Sequence, residues 1–183
     1  MDNFLLENLI KSSLNNDSVA FRQIVEAYQT MVYSLSFKIL NDEHEAKDMV
    51  QETFIKVWLN LAKYNSDKKF TTWLYTITTN LCIDKLRSIK YISSSENIEN
   101  DLLDLISSDS TEQKMIDEEF VQIVALLTNE LTPKQKIVFT LHCLDGLETK
   151  EIAEITGMTS AKIKSNLFLA RKKMQLKLSH YGK

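Results

Sequence analysis

A chain of 183 residues, of which 44% are hydrophobic, suits one or two domains and can build a packed core. Only three glycines and one proline occur, and apolar residues recur at helical spacing almost throughout, which predicts an all-α protein of roughly eight or nine helices. No apolar run approaches the ~18 residues that span a membrane, and the first residues lack the layout of a signal peptide. We therefore expect a cytoplasmic protein without membrane insertion.

The residues that most often carry chemistry are sparse and scattered. Cys82 and Cys143 lie within apolar helical patterns and match no metal-ligand spacing, so both are expected to be reduced thiols in the core. The histidines, His44, His142 and His180, form no paired ligand spacing, and no glycine-rich phosphate loop is present. His142 and Cys143 are adjacent, so on a helix they point about 100° apart and make a poor catalytic pair. We expect neither an enzyme nor a bound metal or other cofactor.

Charge is distributed unevenly along the chain. Residues 1–90 carry equal numbers of acidic and basic groups, residues 91–131 carry a net charge of −9, and residues 132–183 carry +6. The acidic segment is rich in Ser, Asn and Asp, although residues 98–106 could form a short helix. This pattern predicts two helical domains joined by a flexible acidic linker, with boundaries at 1–90, 91–114 and 115–183. The basic end is expected to meet a polyanion.

Capping residues mark the first long helices. Asp17 is placed as the N-cap of a helix that runs to about Leu40, and Asp42 with Glu45 resembles a capping box that opens a helix to about Ala62. A polar loop, residues 63–69, then leads into a helix over 70–90. The apolar stripe of that helix consists of Phe70, Leu74, Ile77 and Leu81. Threonine is a weak helix former, so the five threonines of 70–90 indicate a polar face with a purpose besides stability.

The helix over 42–62 has two different faces. Its inward stripe consists of Met49, Val50, Phe54, Val57, Trp58 and Leu61. Its opposite face carries Asp48, Gln51, Glu52, Ile55 and Leu59. An exposed Ile and Leu among hydrogen-bond acceptors favour a partner surface. Periodicity alone leaves open a solvated face with two incidental apolar residues.

The strongest pattern lies near the C-terminus. Ala153, Gly157 and Ile163 have the spacing of a helix-turn-helix, in which a small residue permits close approach, Gly permits the left-handed turn and a branched residue locks the pair. Thr149 and Thr159 are the expected N-caps of the two helices, and Thr132-Pro133 starts the helix before them. A recognition helix enters the major groove with its N-terminus first, and cations hold the flanking phosphates. An ordinary amphipathic helix with solvated lysines is the alternative.

Three motifs together resemble one family. EAKDMVQETFIKVW, FTTWLYTITTNLCIDKLR and the helix-turn-helix ending KSNLFLARKKM are similar to motifs of the extracytoplasmic-function (ECF) group of bacterial sigma factors, over about residues 20–90 and 115–178. The resemblance implies a protein that binds core RNA polymerase and directs promoter-specific initiation. Its N-terminal domain, sigma region 2, would recognise and melt the minus-ten element. Its C-terminal domain, region 4, would read the minus-thirty-five element, and an anti-sigma factor is a further candidate partner.

The resemblance also implies roles for single residues. Polymerase binding would fall to Asp48, Gln51, Glu52 and Ile55. The minus-ten element would be held by Tyr64, Asn65, Ser66, Asp67, Lys68, Lys69, Thr72, Tyr75, Asn80, Lys85 and Arg87, with Thr71 and Thr79 on the same polar face. The minus-thirty-five element would be read by Thr159, Ser160, Ala161, Lys162, Lys164, Ser165, Asn166, Arg171 and Lys172. A base captured outside the stack needs a ring to stack on and groups that bond its edge, and short hydroxyls let a DNA backbone come close.

Some positions depart from the family or keep two interpretations. Where primary sigma factors have a tryptophan pair that wedges the duplex open, this chain has Thr76-Ile77, which implies weaker melting. Many relatives carry basic residues where this chain has Asn166 and Leu169, which implies a weaker hold on phosphates. Trp73 either stacks on a base or belongs to the core. Asp84 is expected to orient Arg87 or a nearby donor and not to touch DNA.

Two broader expectations follow from these patterns. The acidic linker should keep the two modules apart until polymerase sets their spacing, and free protein should bind promoter duplex poorly. An ordinary helix-turn-helix regulator with a helical sensor domain remains an alternative for the C-terminal pattern. Such a regulator would bind its operator without polymerase, and it would leave the VQETF helix and the threonine-rich helix unexplained.

Overall fold

A computed structural model describes residues 1–95 and 127–181, with side chains over 1–89 and 127–179. Over these ranges the regular structure is entirely helical, which confirms the predicted all-α class. The helices are α1 (Asn3–Leu14), α2 (Ser18–Leu40), α3 (Glu43–Asn60), α4 (Phe70–Ser95), α5 (Pro133–Phe139), α6 (Thr149–Thr156) and α7 (Ser160–Tyr181), with a 3₁₀ turn at Leu61–Lys63 and a π turn at Thr140–Leu144. We call 1–95 the first module and 127–181 the second module. No described helix is both long and apolar enough to cross a membrane.

Most of the predicted linker lies outside the described residues, as do the short helix proposed for 98–106 and the expected resumption of helix near residue 115. The described residues do correct the predicted end of the helix over 70–90. Helix α4 continues through residue 90 to Ser95 instead of ending at residue 90. The helical hydrogen-bond ladder thus extends beyond the point where apolar periodicity fades.

The helix ends follow mostly from local capping chemistry. The Asp17 carboxylate accepts from the amides of Val19 and Ala20 at 2.9 and 3.1 Å, which confirms the predicted cap of α2. Asp42 caps α3 by accepting from the Glu45 amide at 2.9 Å, as predicted. Such a cap satisfies amides that have no partner inside the helix and contributes about 1 kcal/mol.

The second module contains two further caps. Thr132 and Gln135 bond each other's backbone amide in a capping box at the start of α5, which confirms the predicted Thr132-Pro133 start. The expected cap at Thr149 is wrong by one residue, because Glu148 occupies that position and its amide donates to Glu151 Oε2 at 3.0 Å. Glutamate is less common than threonine at this position, which is why the sequence favoured Thr149.

The first module is built around α2, α3 and α4. The inward residues predicted for α3 and the stripe of α4 are buried or partly buried in its core, together with residues of α1. The fully or nearly fully buried side chains of this cluster are Leu6, Leu9, Ile10, Ala20, Ile24, Val32, Phe54, Val57, Leu61, Phe70 and Leu74. This packing fixes which face of α3 and which face of α4 remain available to a partner.

The two modules pack against each other. A single apolar cluster contains Leu35, Ile39, Leu40, Met49, Leu81 and Cys82 of the first module with Ile137, Val138, Leu141, Ile152, Ile155 and Ile163 of the second. Helix α4 packs against α2 and α3 and also against α6. The expectation that the modules are held apart is therefore wrong for this structure. The acidity that suggested it belongs to the segment between the modules, whereas the first module is neutral over 1–90 and does not repel the basic second one.

The two cysteines and Lys136 differ in their burial. Cys82 is fully buried, and burial raises the pKa of its thiol to about 12. Cys143 is exposed, which contradicts its assignment to the core, because the π turn at 140–144 displaces the helical register on which that assignment rested. Lys136 is buried in α5, and desolvation lowers the pKa of its amine to about 8.

Candidate nucleic-acid and partner interfaces

The outward face of α3 presents acceptors and apolar side chains to solvent. Asp48, Gln51, Glu52 and Ile55 are all exposed, and Ile55 is 58% accessible. Leu59, one helical turn further on, is 71% accessible. Single exposed apolar residues are common, but two on one helical face among carboxylates and an amide form a continuous surface. We call this surface the α3 face.

The back of α3 is anchored firmly enough to hold that face in position. Thr53 is fully buried and donates to Thr78 Oγ1 of α4 at 3.4 Å. Thr78 in turn donates to the Leu74 carbonyl at 2.9 Å. Both hydroxyls thus have hydrogen-bond partners inside the core, and Thr78, one of the five threonines of 70–90, has a structural role.

Lys85, predicted to contact DNA, already has a partner across the helix pair. Its amine lies 2.7 Å from Glu45 Oε2, joining α4 to the start of α3. The hydrogen bond to Glu45 raises the pKa of Lys85, with smaller contributions from the charges of Asp48 and Glu52. The structure thus places Lys85 nearer to the α3 face than the sequence indicated.

The loop between α3 and α4 has a defined shape. The Asp67 amide donates to Asn65 Oδ1 at 2.9 Å, and the Lys68 amide donates to the Asn65 carbonyl at 3.1 Å. The Tyr64 hydroxyl donates to the Lys68 carbonyl at 2.6 Å and closes the loop. Asn65, Ser66, Asp67, Lys68 and Lys69 remain exposed. The loop therefore offers polar groups and two cations on a preformed backbone.

An aromatic cluster supports this loop from below. Tyr64 packs tilted against Trp73, with ring centroids 5.2 Å apart, and edge-on against Phe70 at 5.3 Å. Trp73 also contacts Phe70 at 5.7 Å. Trp73 is partly buried, so of its two interpretations the core one matches its surroundings. Such pairs stabilise by about 0.5–1.5 kcal/mol beyond burial and here fix the loop to α4.

The polar face of α4 is smaller than the sequence predicted. Asn80 is exposed, and Thr71 and Thr72 are partly buried. Thr79 is fully buried, and its hydroxyl lacks a hydrogen-bond partner among the described residues, so its placement on an open face is wrong. Tyr75 is partly buried as well, because it packs against the core that the two modules share. Burial raises the pKa of its phenol.

Arg87 lies on the exposed end of α4. Its guanidinium is 3.6 Å from Asp84 Oδ1, one helical turn away, and both side chains are mostly accessible. The predicted pairing of Asp84 with Arg87 is therefore present in the structure. Such an exposed pair holds its partner weakly, so Arg87 remains available to a phosphate.

The helix-turn-helix has the geometry that the spacing predicted. Gly157 adopts φ +67° at the turn, and its amide bonds the Ala153 carbonyl at 2.9 Å. Ile163 is 1% exposed and locks α7 against the shared core. The amide of Lys162 donates to Thr159 Oγ1 at 3.4 Å, which confirms Thr159 as a cap.

The buried Ile163 sets which side chains of α7 face outward. The exposed residues are Thr159, Ser160, Ala161, Lys162, Lys164 and Ser165, with Arg171 and Lys172 one to two turns later, whereas Asn166 is partly buried. Asn166 donates to the Lys162 carbonyl at 2.8 Å, so one of its amide hydrogens is used within the helix. Arg171 lies 3.7 Å from the Cys143 sulfur. The first turns of α7 thus form an open polar and cationic surface.

A polar cluster between the modules was missed by the sequence reasoning. Asp145, in the loop before α6, accepts from Lys38 of α2 at 2.6 Å and from the Tyr75 hydroxyl of α4 at 3.2 Å. In the sequence, Asp145 lies 107 positions from Lys38 and 70 positions from Tyr75. No local pattern relates them, so only the fold reveals the cluster.

Family models account for both modules. A model described as Sigma-70 region 2 matches residues 24–90, and one described as Sigma-70, region 4 matches residues 122–174. Among curated proteins, the chain is 30% identical over 181 residues to the ECF RNA polymerase sigma factor SigW of Bacillus subtilis, covering 95% of this chain and 97% of that one. It is 32% identical over 179 residues to the ECF RNA polymerase sigma-E factor of Escherichia coli, covering 93% and 92%.

Solved structures share the arrangement of helices. The structure of CnrH in complex with the cytosolic domain of CnrY matches with a TM-score of 0.64 at 21% identity, covering 98% of this chain and 97% of that one. The sigma factor RpoE from Bartonella quintana, crystallised with the anti-sigma factor NepR, matches with a TM-score of 0.64 at 21% identity, covering 87% and 96%.

Proposed function

Because the chain belongs to the ECF group of sigma-70 factors, we propose that its exposed surfaces have separate roles in initiation. One surface binds core polymerase, a second binds the minus-ten element and a third binds the minus-thirty-five element. The chain is a sigma factor for promoter-specific initiation, whose partners are core RNA polymerase and promoter DNA. It is a regulatory transcription factor, and we propose that it has no catalytic activity of its own and works in the cytoplasm. What remains to be assigned is the role of each surface.

The α3 face is the proposed contact with core polymerase. It combines carboxylates that can pair with cations and two apolar side chains that gain from burial, and it points away from both cores. Its residues are Asp48, Gln51, Glu52 and Ile55, to which we add Leu59 because it continues the same surface. Apolar groups surrounded by polar ones are the usual composition of a protein interface.

The loop 64–69 and the exposed part of α4 are the proposed contact with the melted minus-ten strand. The loop's backbone is fixed by Asn65 and by the Tyr64 hydroxyl, which reduces the ordering cost of binding. Lys68, Lys69 and Arg87 supply cations for phosphates. Tyr64 and Trp73 serve this surface as supports, since their rings already pack on each other.

The first turns of α7 are the proposed reader of the minus-thirty-five element. The outward side chains from Ser160 to Asn166 can reach base edges, and Arg171 with Lys172 can hold phosphates. The observation that carries the proposal is the locked helix-turn-helix, in which Gly157 and Ile163 fix α7 so that this row of side chains is exposed. An ordinary regulator would share this feature but would not carry the α3 face.

The experiment compares loop variants with recognition-helix variants in reconstituted holoenzyme. Asn65→Asp keeps the oxygen that shapes the loop and removes the amide donors, so it tests a base contact without altering the backbone. We expect it to reduce permanganate reactivity of melted thymines and to change preference only within the minus-ten element. Ser165→Ala should change preference only within the minus-thirty-five element, each lost base contact costing roughly 1–3 kcal/mol.

A pre-melted promoter provides the control. It should restore melting to Asn65→Asp without restoring its base preference, and it should not rescue Ser165→Ala. If the loop variant altered only the minus-thirty-five preference, or the helix variant only melting, the assignment of the two surfaces would be reversed or wrong.

We also propose an anti-sigma factor as a regulatory partner. RpoE of Bartonella quintana, which has the same arrangement of helices, was crystallised with the anti-sigma factor NepR. The proposal is tested by recovering the tagged chain from its own cells under non-inducing conditions. A stoichiometric protein that blocks core polymerase binding in vitro would support it, and recovery of the chain with polymerase alone would contradict it.

A further inference from the structure

Polar groups from three separate elements come together beside the loop between α3 and α4. Tyr64 of the loop and Tyr28 of α2 flank Phe70, and their ring centroids lie 5.3 and 5.2 Å from that of Phe70. Burial raises the pKa of the Tyr64 phenol, and the nearby Tyr28 phenol and Glu7 carboxylate raise it further. Glu7 belongs to α1. We call Glu7, Tyr28 and Tyr64 the Glu7 cluster.

The core of the first module fixes the position of α1. Leu6, which is adjacent to Glu7, is buried in the same apolar cluster as Phe70. Helix α1 also packs against the 3₁₀ turn at Leu61–Lys63, which leads directly into Tyr64. Glu7 itself is exposed. A rigid support therefore presents its carboxylate to solvent next to the loop.

The Glu7 cluster can accept more hydrogen bonds than it can donate. The Tyr64 hydroxyl already donates its single hydrogen to the Lys68 carbonyl at 2.6 Å, so only its oxygen lone pairs remain. An ionised carboxylate only accepts, and a phenol such as Tyr28 can do either. Within residues 1–95 and 127–181, neither Glu7 nor the Tyr28 hydroxyl has a hydrogen-bond or ion-pair partner. A ligand that fits the cluster must therefore supply donors.

The charge of Glu7 limits what DNA can gain from binding at this place. Phosphates of a strand on the loop can pair with Lys68 and Lys69, which are both exposed. A carboxylate beside them repels the strand and lowers its affinity, unless the carboxylate accepts a hydrogen bond from a base. The exocyclic amine of cytosine, adenine or guanine is such a donor, and thymine has none. Glutamate is suited to accept from the amine of cytosine.

We propose that Glu7, with the hydroxyl oxygens of Tyr28 and Tyr64, determines specificity in the minus-ten element by accepting hydrogen bonds from the exocyclic amine of the captured base. The proposal rests on the proposed function, because only a melted strand presents an unpaired base edge to the loop. The Sigma-70 region 2 model matches residues 24–90 and therefore does not include Glu7. A base with an amine is selected, and thymine is rejected because its carbonyl oxygens would face the carboxylate.

The test measures which base is preferred at the captured position. That position is located in reconstituted holoenzyme by placing a fluorescent adenine analogue at each minus-ten base in turn, because its emission rises when it leaves the stack. Affinity is then compared for promoters that are pre-melted over the minus-ten element and carry cytosine, adenine or thymine at that position. A fourth promoter carries a cytosine analogue that lacks the exocyclic amine. The comparison of cytosine with this analogue isolates the proposed hydrogen bonds.

The variants separate a base contact from a general change in charge. Glu7→Gln keeps the size of the side chain and removes its charge, and Tyr28→Phe removes a hydroxyl while keeping the ring beside Phe70. Glu26→Gln is the matched control, because Glu26 is an exposed carboxylate of α2 and its loss changes the net charge equally. It is two positions from Tyr28 and therefore on another side of the helix. Asn65→Asp shows independently whether the loop reads the minus-ten element.

We expect the parent holoenzyme to prefer cytosine over its amine-free analogue by roughly tenfold, as for one good base contact. Glu7→Gln should remove most of this preference, while its affinity for the thymine promoter stays equal or increases because a repulsive charge is lost. Tyr28→Phe should reduce the preference by a smaller factor, and Glu26→Gln should leave it unchanged. General damage to the fold would instead lower the affinity for every base alike.

Equal base preferences of Glu7→Gln and Glu26→Gln would overturn the proposal, as would a parent protein that does not distinguish cytosine from its amine-free analogue. Weaker binding of Glu7→Gln to core polymerase without DNA would place Glu7 in a protein contact and would also overturn it. If Asn65→Asp changes the minus-ten preference and Glu7→Gln does not, the proposed function stands and this inference alone fails. If the free chain binds single-stranded oligonucleotides with the Glu7-dependent preference but never supports initiation, the inference stands and the proposed function fails.

Discussion

Substitution of Ile55 tests whether the α3 face binds core polymerase, and the exposed fraction of Ile55 gives the expected loss of affinity. Ile55→Ala removes three carbon groups worth about 0.8 kcal/mol each on full burial, or about 2.4 kcal/mol. Because Ile55 is 58% exposed in the free protein, about 1.4 kcal/mol of that gain is still available when a partner covers it. We therefore expect a roughly tenfold weaker Kd for core polymerase. Leu59→Ala, at 71% exposure, should cost slightly more, about 1.7 kcal/mol.

The assay pairs equilibrium binding to core polymerase with urea unfolding of the free chain. Ile55→Ala should leave unfolding nearly unchanged, since an exposed side chain contributes little to the folded state. Val57→Ala on the buried side of the same helix is the matched control. Val57 is 0% exposed, so its truncation should lower the unfolding free energy by about 2 kcal/mol while the folded fraction binds polymerase normally. A folded Ile55→Ala protein with the parent affinity would refute the assignment and leave α3 with a merely solvated face.

Further predictions concern the binding of DNA phosphates by Arg171, the turn at Gly157 and the buried amine of Lys136. Arg171→Ala should weaken binding to all promoters about equally and lower the slope of log affinity against log salt by about 1, whereas a change confined to one promoter would assign Arg171 to base reading. Gly157→Ala should destabilise the second module by about 1–2 kcal/mol. The cause would be backbone strain at φ +67° and not a steric clash, because an added Cβ meets no neighbouring atom within 4 Å. Gly157→Asn should destabilise it less, since Asn tolerates this conformation better than Ala, and equal losses of stability in urea unfolding would contradict strain as the cause. The pKa of Lys136 is lowered to about 8 in the folded state, so the unfolded chain binds more protons between pH 8 and 10.5 and the free energy of unfolding should rise across that range. Lys136→Met should remove this rise and increase the free energy of unfolding at pH 7 by on the order of 2–3 kcal/mol. A variant with the pH profile of the parent protein would contradict this prediction.

Local signals in the sequence located most helix ends and the recognition helix. Asp17, Asp42 and Thr132 act on amides within three residues, and Gly157 acts on its own backbone, so each can be inferred without knowledge of the fold. The exposure of Ile55 followed from helical periodicity in the same way. These features depend on neighbours along the chain, which is the information that a sequence displays directly.

The features that the sequence did not display depend on distant partners. Tyr75 and Thr79 were placed on an open face because periodicity cannot show that α6 packs on α4. Cys143 was placed in the core because a π turn cannot be inferred from apolar spacing. Lys38 and Asp145 are 107 positions apart, so their contact exists only once the modules meet. Net charge by segment wrongly suggested that the modules are held apart, because the acidic residues lie in the segment between the modules and not on their contacting faces.

Run-off transcription with core polymerase, with and without this protein, on a library of candidate promoters tests whether the chain directs promoter-specific initiation. We expect transcripts that start at a defined subset of promoters, depend on the protein, and are reduced by Ile55→Ala and by Ser165→Ala in different ways. The first should lower output at all active promoters alike, and the second should change which promoters are used. Protein that leaves the transcript pattern of core polymerase unchanged, yet binds one duplex tightly without polymerase, would contradict the account and favour an ordinary helix-turn-helix regulator.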